Sequence, residues 1–98
     1  MNQKELDELM KQLDDCDKRI ADDSSDYLAY FERGLINSEL NLHKNAIKDF
    51  TKTIRLKPDF AAAYLNRSCE YDSIDEFALA DADSEKYSEL KKQENNEN

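Results

Sequence analysis

The sequence is poor in the residues that form tight turns. Glycine and proline occur once each among 98 residues, and tryptophan is absent. Two-residue hairpin turns between β-strands need residues that adopt positive φ angles, above all glycine, so a fold with many β-hairpins is disfavoured. Charged residues, in contrast, make up 38% of the chain. This composition predicts an all-α protein whose helices are joined by short polar connections.

The chain also lacks long apolar segments. A helix that spans a membrane needs a run of about 18 or more apolar residues, and no such run is present. The first residues, MNQKELDELMKQ, are too polar for the apolar segment of a signal peptide. The formal net charge is -9, which opposes binding to nucleic acid or to an anionic membrane surface. We therefore expect a cytoplasmic protein that binds neither, with Cys16 and Cys69 as free thiols.

Combinations of residues that carry out catalysis are missing as well. His43 is the only histidine, and it lies in the polar segment NLHKN, where we expect it to pack between helices or face solvent. Cys16 and Cys69 fall on helical apolar stripes, and the sequence places no base beside them. There is no glycine-rich phosphate loop and no metal-ligand spacing of histidine, cysteine and carboxylate residues. We predict no catalytic activity, no cofactor and no metal site.

Apolar residues recur at intervals of three and four, the spacing that lines one side of a helix. Five such stripes predict five helices, the first from about residue 3 to residue 22. Ser24, Ser25 or Asp26 can cap the second helix, and Pro58 ends the third. The five stripes are Leu6, Leu9, Met10, Leu13, Cys16 and Ile20; Tyr27, Tyr30, Phe31, Gly34, Leu35, Ser38 and Leu42; Ala46, Ile47, Phe50, Thr53 and Ile54; Phe60, Ala61, Ala63, Tyr64, Leu65, Ser68 and Tyr71; and Phe77, Ala80, Tyr87 and Leu90.

One short segment of the sequence occurs twice. AYFERG, residues 29–34, is followed 34 residues later by AYLNRS, residues 63–68. Placing residues 27–60 over residues 61–94 without gaps gives eight identical positions. The pattern indicates an internal repeat with two helices in each unit. The identical pairs are Ala29/Ala63, Tyr30/Tyr64, Arg33/Arg67, Ala46/Ala80, Asp49/Asp83, Lys52/Lys86, Leu56/Leu90 and Lys57/Lys91.

The repeated residue types suit a helical hairpin. A tyrosine in the first helix fills space between the two helices, and an alanine in the second lets them approach closely. Each aspartate is followed three positions later by a lysine, and we expect these pairs to contribute a few tenths of a kcal/mol along the helix. The same offset carried backwards shows that the first helix corresponds to the second helix of a unit. It places Asp15, Lys18 and Ile20 over Asp49, Lys52 and Ile54.

A 34-residue period of paired helices with these residues resembles the tetratricopeptide repeat. Tyr30, Gly34, Ala46, Phe50 and Pro58 fall on the family's signature spacing. The resemblance implies a right-handed superhelix of antiparallel helical hairpins, here about five helices. It implies one domain over residues 1–92, followed by a disordered tail over residues 93–98. The domain comprises a half-repeat helix (1–26), a first repeat (27–60) and a degenerate second repeat with a cap (61–92).

The second unit departs from the family's pattern. Ser68 replaces the glycine, and Lys92 stands in the place of the proline. Three apolar positions of the second helix become polar, which predicts that the last helix is a cap facing solvent. These substitutions put Asp81, Ser84 and Ser88 in the places of Ile47, Phe50 and Ile54.

Members of this family bind extended peptides or helices of other proteins in a concave groove lined by the first helix of each hairpin. The resemblance therefore implies a non-catalytic adaptor or scaffold with an apolar groove. Asn66 matches an asparagine that holds peptide backbone or carboxylate in many relatives. Phe31 and Leu35 occupy the positions of a lysine and an asparagine that grip a carboxylate in some relatives, so that clamp is not expected. The groove residues carried over by position are Leu28, Phe31, Glu32, Leu35, Leu65, Asn66 and Cys69.

A structural role through self-association is the alternative. The apolar stripe of the first helix also fits the alternating spacing of a two-stranded helical coil. A homodimer could form through this helix or through the exposed apolar groove. The stripe consists of Leu6, Leu9, Leu13, Cys16 and Ile20.

Overall fold

Five α-helices make up most of the chain. The computed structural model describes residues 1–96, and within them there is no β-strand. The prediction of an all-α fold with five helices is confirmed, and the first helix has the predicted bounds. The helices are α1 (Gln3–Asp22), α2 (Tyr27–Glu39), α3 (His43–Leu56), α4 (Ala61–Ser73) and α5 (Phe77–Asn96).

Local sequence sets the ends of the helices. The side chain of Asp26 accepts a hydrogen bond of 3.1 Å from the backbone N–H of Ala29 and so caps α2, as a side-chain oxygen at this position is expected to do. Helix α3 ends two residues before Pro58. Asn41 and Asp75 have left-handed φ angles of 60° and 63°, which their short polar side chains tolerate better than most. These two residues lie 34 positions apart, so the repeat extends to the connections.

Each helix packs against the next one along the chain, and α2 also contacts α4. Inside the first hairpin, Phe50 and Thr53 are the largest fully buried side chains. Gly34 makes the close approach of α2 and α3 possible. A Cβ atom on Gly34 would lie 2.5 Å from Cε1 of Phe50, so the phenyl ring fills the space that a side chain would need.

Both hairpins are held by the same ion pair. Arg33 on α2 donates to Asp49 on α3 through Nε and Nη2, at 3.0 and 2.8 Å. Arg67 on α4 donates to Asp83 on α5 in the same way, at 2.7 and 2.8 Å. Both aspartates are buried. The sequence reasoning paired these aspartates with lysines along their own helix, and this was wrong because their side chains face the preceding helix.

The end of α5 differs from the expectation in one respect and matches it in another. Disorder was predicted for residues 93–98, but α5 continues through Asn96, so the prediction is wrong for residues 93–96; residues 97–98 lie outside the described part. This last turn is exposed, and Lys91 and Glu94 form an ion pair of 2.8 Å along it. The three polar replacements on α5, at Asp81, Ser84 and Ser88, are all exposed, as predicted.

Four large apolar side chains of the predicted stripes are exposed. Met10 is 50% exposed, Leu42 44%, Leu65 39% and Phe77, the first residue of α5, 59%. Helical spacing identifies a face, but whether a neighbouring helix covers that face at a given turn depends on the tertiary arrangement.

Candidate interaction surface

The residues assigned to the concave groove lie on the adjacent helices α2 and α4, and their exposure differs. Leu28 and Leu65 are 41% and 39% exposed, and Glu32 and Cys69 are exposed as well. The remaining three, Phe31, Leu35 and Asn66, are half-buried. The structure therefore offers two exposed leucines, one on each helix, as the apolar part of this surface.

Phe31 belongs to the interior of the fold. The centre of its ring lies 5.0 Å from that of Phe60 and 5.7 Å from that of Phe50. Tyr27 contacts Phe60 from the other side, at 5.4 Å. Edge-on aromatic contacts of this kind stabilise packing beyond the buried area alone. Phe31 therefore holds α2 against α3 and the start of α4, a role that its place in the repeat did not reveal.

Asn66 and Glu32 are already engaged within the chain. The amide Nδ2 of Asn66 donates to the carbonyl of Ala62, one turn earlier on α4, at 2.8 Å. Glu32 accepts a hydrogen bond from Nη1 of Arg19 on α1. The negative charge that Glu32 brings to the surface is therefore compensated, and a bound segment would meet mainly apolar side chains.

Arg19 joins α1 to the start of α2. Its Nε donates to Oδ2 of Asp26 at 3.2 Å, in addition to the bond with Glu32. The hydrogen bond from Arg19, followed by the one from the backbone N–H of Ala29, lowers the pKa of Asp26 below its ordinary value. The two carboxylates in turn raise the pKa of Arg19.

The apolar stripe of α1 is used inside the molecule. Leu9 and Cys16 are buried together with Ile36 of α2, and Leu13 and Leu40 pack against this cluster. Burial raises the pKa of the Cys16 thiol, and the nearby charge of Glu32 adds to the effect. The surface considered for a two-stranded coil is therefore largely covered by α2.

A groove runs between α1 and α2 and consists of two adjacent hollows. One hollow has a volume of about 480 Å³ and the other of about 380 Å³. Leu35, which sequence reasoning placed in the concave groove, lines the second hollow together with α1. We call this the α1–α2 groove; it is lined by Met1, Lys4, Glu5, Glu8, Leu9, Gln12, Asp15, Cys16, Arg19, Glu32, Leu35, Ile36 and Glu39.

His43 pairs with a buried carboxylate. It is the first residue of α3, and its Nδ1 lies 3.3 Å from Oε2 of Glu70 on α4. The other oxygen of Glu70 accepts no hydrogen bond from the described protein atoms. Glu70 stands in the place of Ile36, which is also buried, so the repeat marks this position as interior although a carboxylate is seldom found there.

The described part of the chain contains neither a metal-binding cluster nor a membrane-spanning helix. In residues 1–96, no group of three or more histidine, cysteine or carboxylate side chains is placed to hold a metal ion. None of the helices described here combines the length and the apolar character that crossing a membrane requires. Cys16 and Cys69 are both free.

The sequence profile described as "Tetratricopeptide repeat" matches residues 27–60, the hairpin of α2 and α3. Residues 27–60 are a tetratricopeptide repeat. The five helices have the tetratricopeptide fold, since 93% of the chain matches the structure of a protein that contains these repeats with a TM-score of 0.89. Proteins of this family are typically non-catalytic interaction modules.

Three of the solved structures that resemble the chain are of MamA, which contains tetratricopeptide repeats. Two crystal structures of MamA are 26% identical to the chain, with TM-scores of 0.89 and 0.83, and each match covers 93% of it. The MamA RS-1 ArsTM double mutant is 18% identical over 92% of the chain, with a TM-score of 0.84. The chain spans about half the length of these structures, with coverages of 53%, 50% and 51%. No curated protein matches it significantly by sequence.

Proposed function

We propose that the protein is a non-catalytic adaptor that holds a helix or an extended segment of another protein on the concave side of α2 and α4. The observation that carries the proposal is the pair of exposed leucines, Leu28 and Leu65, on adjacent helices of a tetratricopeptide fold. Leu35 of α2 and Asn66 of α4 are half-buried members of the same predicted surface. Exposed apolar side chains on neighbouring helices are typical of an interface with another molecule.

The chemistry of this surface favours an apolar partner segment. The charge of Glu32 is compensated by Arg19, and the amide donor of Asn66 is used within α4. The side chain of Asn66 would therefore have to break its hydrogen bond with the carbonyl of Ala62 before its amide could donate to a partner's backbone. Cys69 lies beside these residues as an exposed thiol, a small side chain that leaves room for a bulkier group.

The proposal includes the wider properties expected from the sequence. Residues 1–92 act as one domain, and the net charge of -9 opposes binding to nucleic acid and to anionic membranes. The two free cysteines are compatible with the reducing environment of the cytoplasm. Self-association through α1 is not favoured, because Leu9 and Cys16 are buried against α2.

The test is affinity capture with a pair of matched variants. Leu28→Asp/Leu65→Asp places two charges on the concave surface, whereas Phe77→Asp/Leu79→Asp makes the same kind of change at the exposed start of α5. We expect the wild type and the α5 variant to capture the same protein, and the concave variant to lose it. All three proteins should have the same helical circular dichroism, because every altered side chain is exposed.

Equal capture by the concave variant and the wild type would refute this assignment of the surface. The variant Phe31→Glu is unsuitable for this test, because Phe31 packs against Phe50 and Phe60. A loss of capture with that variant would not separate binding from folding.

A further inference from the structure

The ion pair that holds each hairpin has an unpaired counterpart on α1. Arg33 binds Asp49, and Arg67 binds Asp83, and the partners are 16 positions apart in both cases. Asp15 precedes Asp49 by the 34 residues of the repeat. Helix α1 packs against α2 as α3 packs against α4, so α1 is the second helix of a hairpin, and Asp15 is its aspartate.

Asp15 has no partner of this kind. It is exposed, and within residues 1–96 it accepts no hydrogen bond and forms no ion pair. Its charge contributes to raising the pKa of Lys18, one turn later, without a direct contact. Its two equivalents, Asp49 and Asp83, are buried and each receives two guanidinium hydrogen bonds. Asp15 lines the α1–α2 groove, on the side where the first helix of its hairpin would lie.

The groove has the shape and the polarity of a helix-binding site. Leu9, Cys16, Leu35 and Ile36 contribute apolar groups to it. It extends along most of α1, whose 20 residues correspond to a length of about 30 Å. Its acidic side chains outnumber its basic ones even when Arg19 and Glu32, which pair with each other, are left out of the comparison. The acidic members are Glu5, Glu8, Asp15, Glu32 and Glu39.

The opposite end of the stack has a different character. The hollow on the outer face of α5 is lined by Ser84, Glu85, Ser88, Glu89 and Lys92, with no apolar side chain among them. This hollow of α5 is therefore polar, whereas the hollows along α1 include apolar side chains; the exposed Phe77 and Leu79 of α5 lie outside it. The contrast between the two hollows favours the α1–α2 groove as a surface for another helix.

We propose that the α1–α2 groove binds an amphipathic, basic helix of a partner protein, and that an arginine of this helix forms a two-bonded ion pair with Asp15. The bound helix contacts α1 in the way that α2 contacts α3, with its arginine on Asp15 as Arg33 is on Asp49. Lysine or arginine residues along its edges face the acidic side chains of the groove. The groove shares Glu32 and Leu35 with the predicted concave surface but does not include Leu28 or Leu65, so the proposal does not depend on the leucine pair.

A second copy of the chain is not the proposed occupant. The helices that carry an arginine at the required place, α2 and α4, already use it within their own hairpins. A net charge of -9 on each copy also opposes the approach of a second acidic molecule to an acidic groove.

Differences between α1 and the other second helices define the partner further. Cys16 occupies the place of Phe50, and Gln12 that of Ala46. The glycine that faces Phe50 in the first hairpin is therefore not required of the partner. A larger apolar residue after the arginine fills the space above Cys16, and Gln12 keeps the helix somewhat farther from α1 than α2 is from α3.

The experiment uses a stapled helical peptide of the same length as α2, which has 13 residues. Its alanine, tyrosine and arginine follow the spacing of Ala29, Tyr30 and Arg33; a leucine follows the arginine, and lysines occupy the outward positions. Fluorescence anisotropy measures its binding to the full chain. We expect Asp15→Asn to weaken binding by about tenfold or more, the effect of losing charge-assisted hydrogen bonds. The matched control Glu85→Gln, on the outer face of α5, should leave the affinity unchanged.

A charge exchange provides the stricter test. Asp15→Arg should abolish binding, and a peptide with aspartate in place of its arginine should restore it. The variant Leu28→Asp/Leu65→Asp should bind the original peptide normally, which separates this site from the concave one. Three results would each overturn the proposal: no binding by the wild type, equal losses for Asp15→Asn and Glu85→Gln, or a dimer of the chain that Asp15→Asn dissociates.

Discussion

At the scale of single residues, Gly34 sets the distance between α2 and α3. A methyl group there would overlap the ring of Phe50, which is fully buried and cannot move aside. Alanine favours a helix over glycine by up to about 1 kcal/mol, but overpacking a core costs about 1–3 kcal/mol. We therefore expect Gly34→Ala to lower the free energy of unfolding in urea.

The second repeat supplies the control for this prediction. Ser68 stands in the place of Gly34 and is buried, so its site already accommodates a side chain. Ser68→Ala removes only the hydroxyl group, which donates to the carbonyl of Leu65 at 2.7 Å. We expect a change of less than about 1 kcal/mol. A larger loss for Ser68→Ala than for Gly34→Ala would show that the contact with Phe50 does not limit the packing.

The buried ion pairs should matter more than the exposed ones. Asp83→Asn leaves the guanidinium of Arg67 largely buried without its counter-charge; these side chains are 7% and 17% exposed. We expect a loss of about 2 kcal/mol in the free energy of unfolding, somewhat less than for a fully buried pair. Asp14→Asn breaks the exposed pair with Lys18, and its urea midpoint should match that of the wild type. Equal effects of the two substitutions would contradict this account of the hairpins.

The cap of α2 should make stability depend on pH at the acidic end. Arg19 and the N–H of Ala29 lower the pKa of Asp26 in the folded state. On acidification the unfolded chain binds this proton first, near an ordinary aspartate pKa of about 3.9. The stabilisation is therefore present above that pH and is lost as the pH falls through the lower pKa of the folded state. The wild type should exceed Asp26→Asn in urea midpoint at about pH 6, and the difference should shrink at about pH 3. A constant difference would contradict the assignment.

At the scale of helices, much of the fold follows from the sequence. The spacing of apolar residues predicted the bounds of α1, the capping candidates Ser24, Ser25 and Asp26 predicted the start of α2, and Pro58 predicted the end of α3. The sequence did not show that Phe31 lies in an aromatic cluster. The spacing of apolar residues identifies the buried face of a helix, but it does not show how deeply each side chain on that face is buried. It also did not show that residues 93–96 continue α5, because a polar helix end needs no buried face.

Leu90 is the main apolar anchor of α5. It is buried with Ala61 and Tyr64 of α4, and Ile54 and Tyr87 pack against this cluster. We expect Leu90→Ala to destabilise the protein by about 2–4 kcal/mol. The same change at Leu79, which is 47% exposed on the same helix, should have a much smaller effect. Thermal unfolding followed by circular dichroism compares the two variants; similar melting temperatures would show that α5 does not depend on Leu90.

At the scale of the whole molecule, the repeat predicts the stack of hairpins but not which surfaces remain open. The α1–α2 groove is recognised only in the structure, where Asp15 of α1 has no guanidinium partner among residues 1–96. Asp15 was aligned with Asp49 from the sequence alone. The importance of this position depends on the ion pair between Asp49 on α3 and Arg33 on α2. Because the two residues lie on different helices, the spacing of residues within one helix does not reveal the pair. A partner's chemistry can therefore be inferred only after the internal pairs are known.

The central claim is that the protein offers its open apolar surfaces to another protein and not to a second copy of itself. The most direct measurement is the solution mass by light scattering over a wide range of concentrations. We expect a mass of 11.4 kDa at every concentration, because the apolar stripe of α1 is covered by α2 and the acidic chains repel one another. A mass that rises to that of a dimer, and that falls back when Leu28 and Leu65 are replaced by aspartate, would contradict the claim.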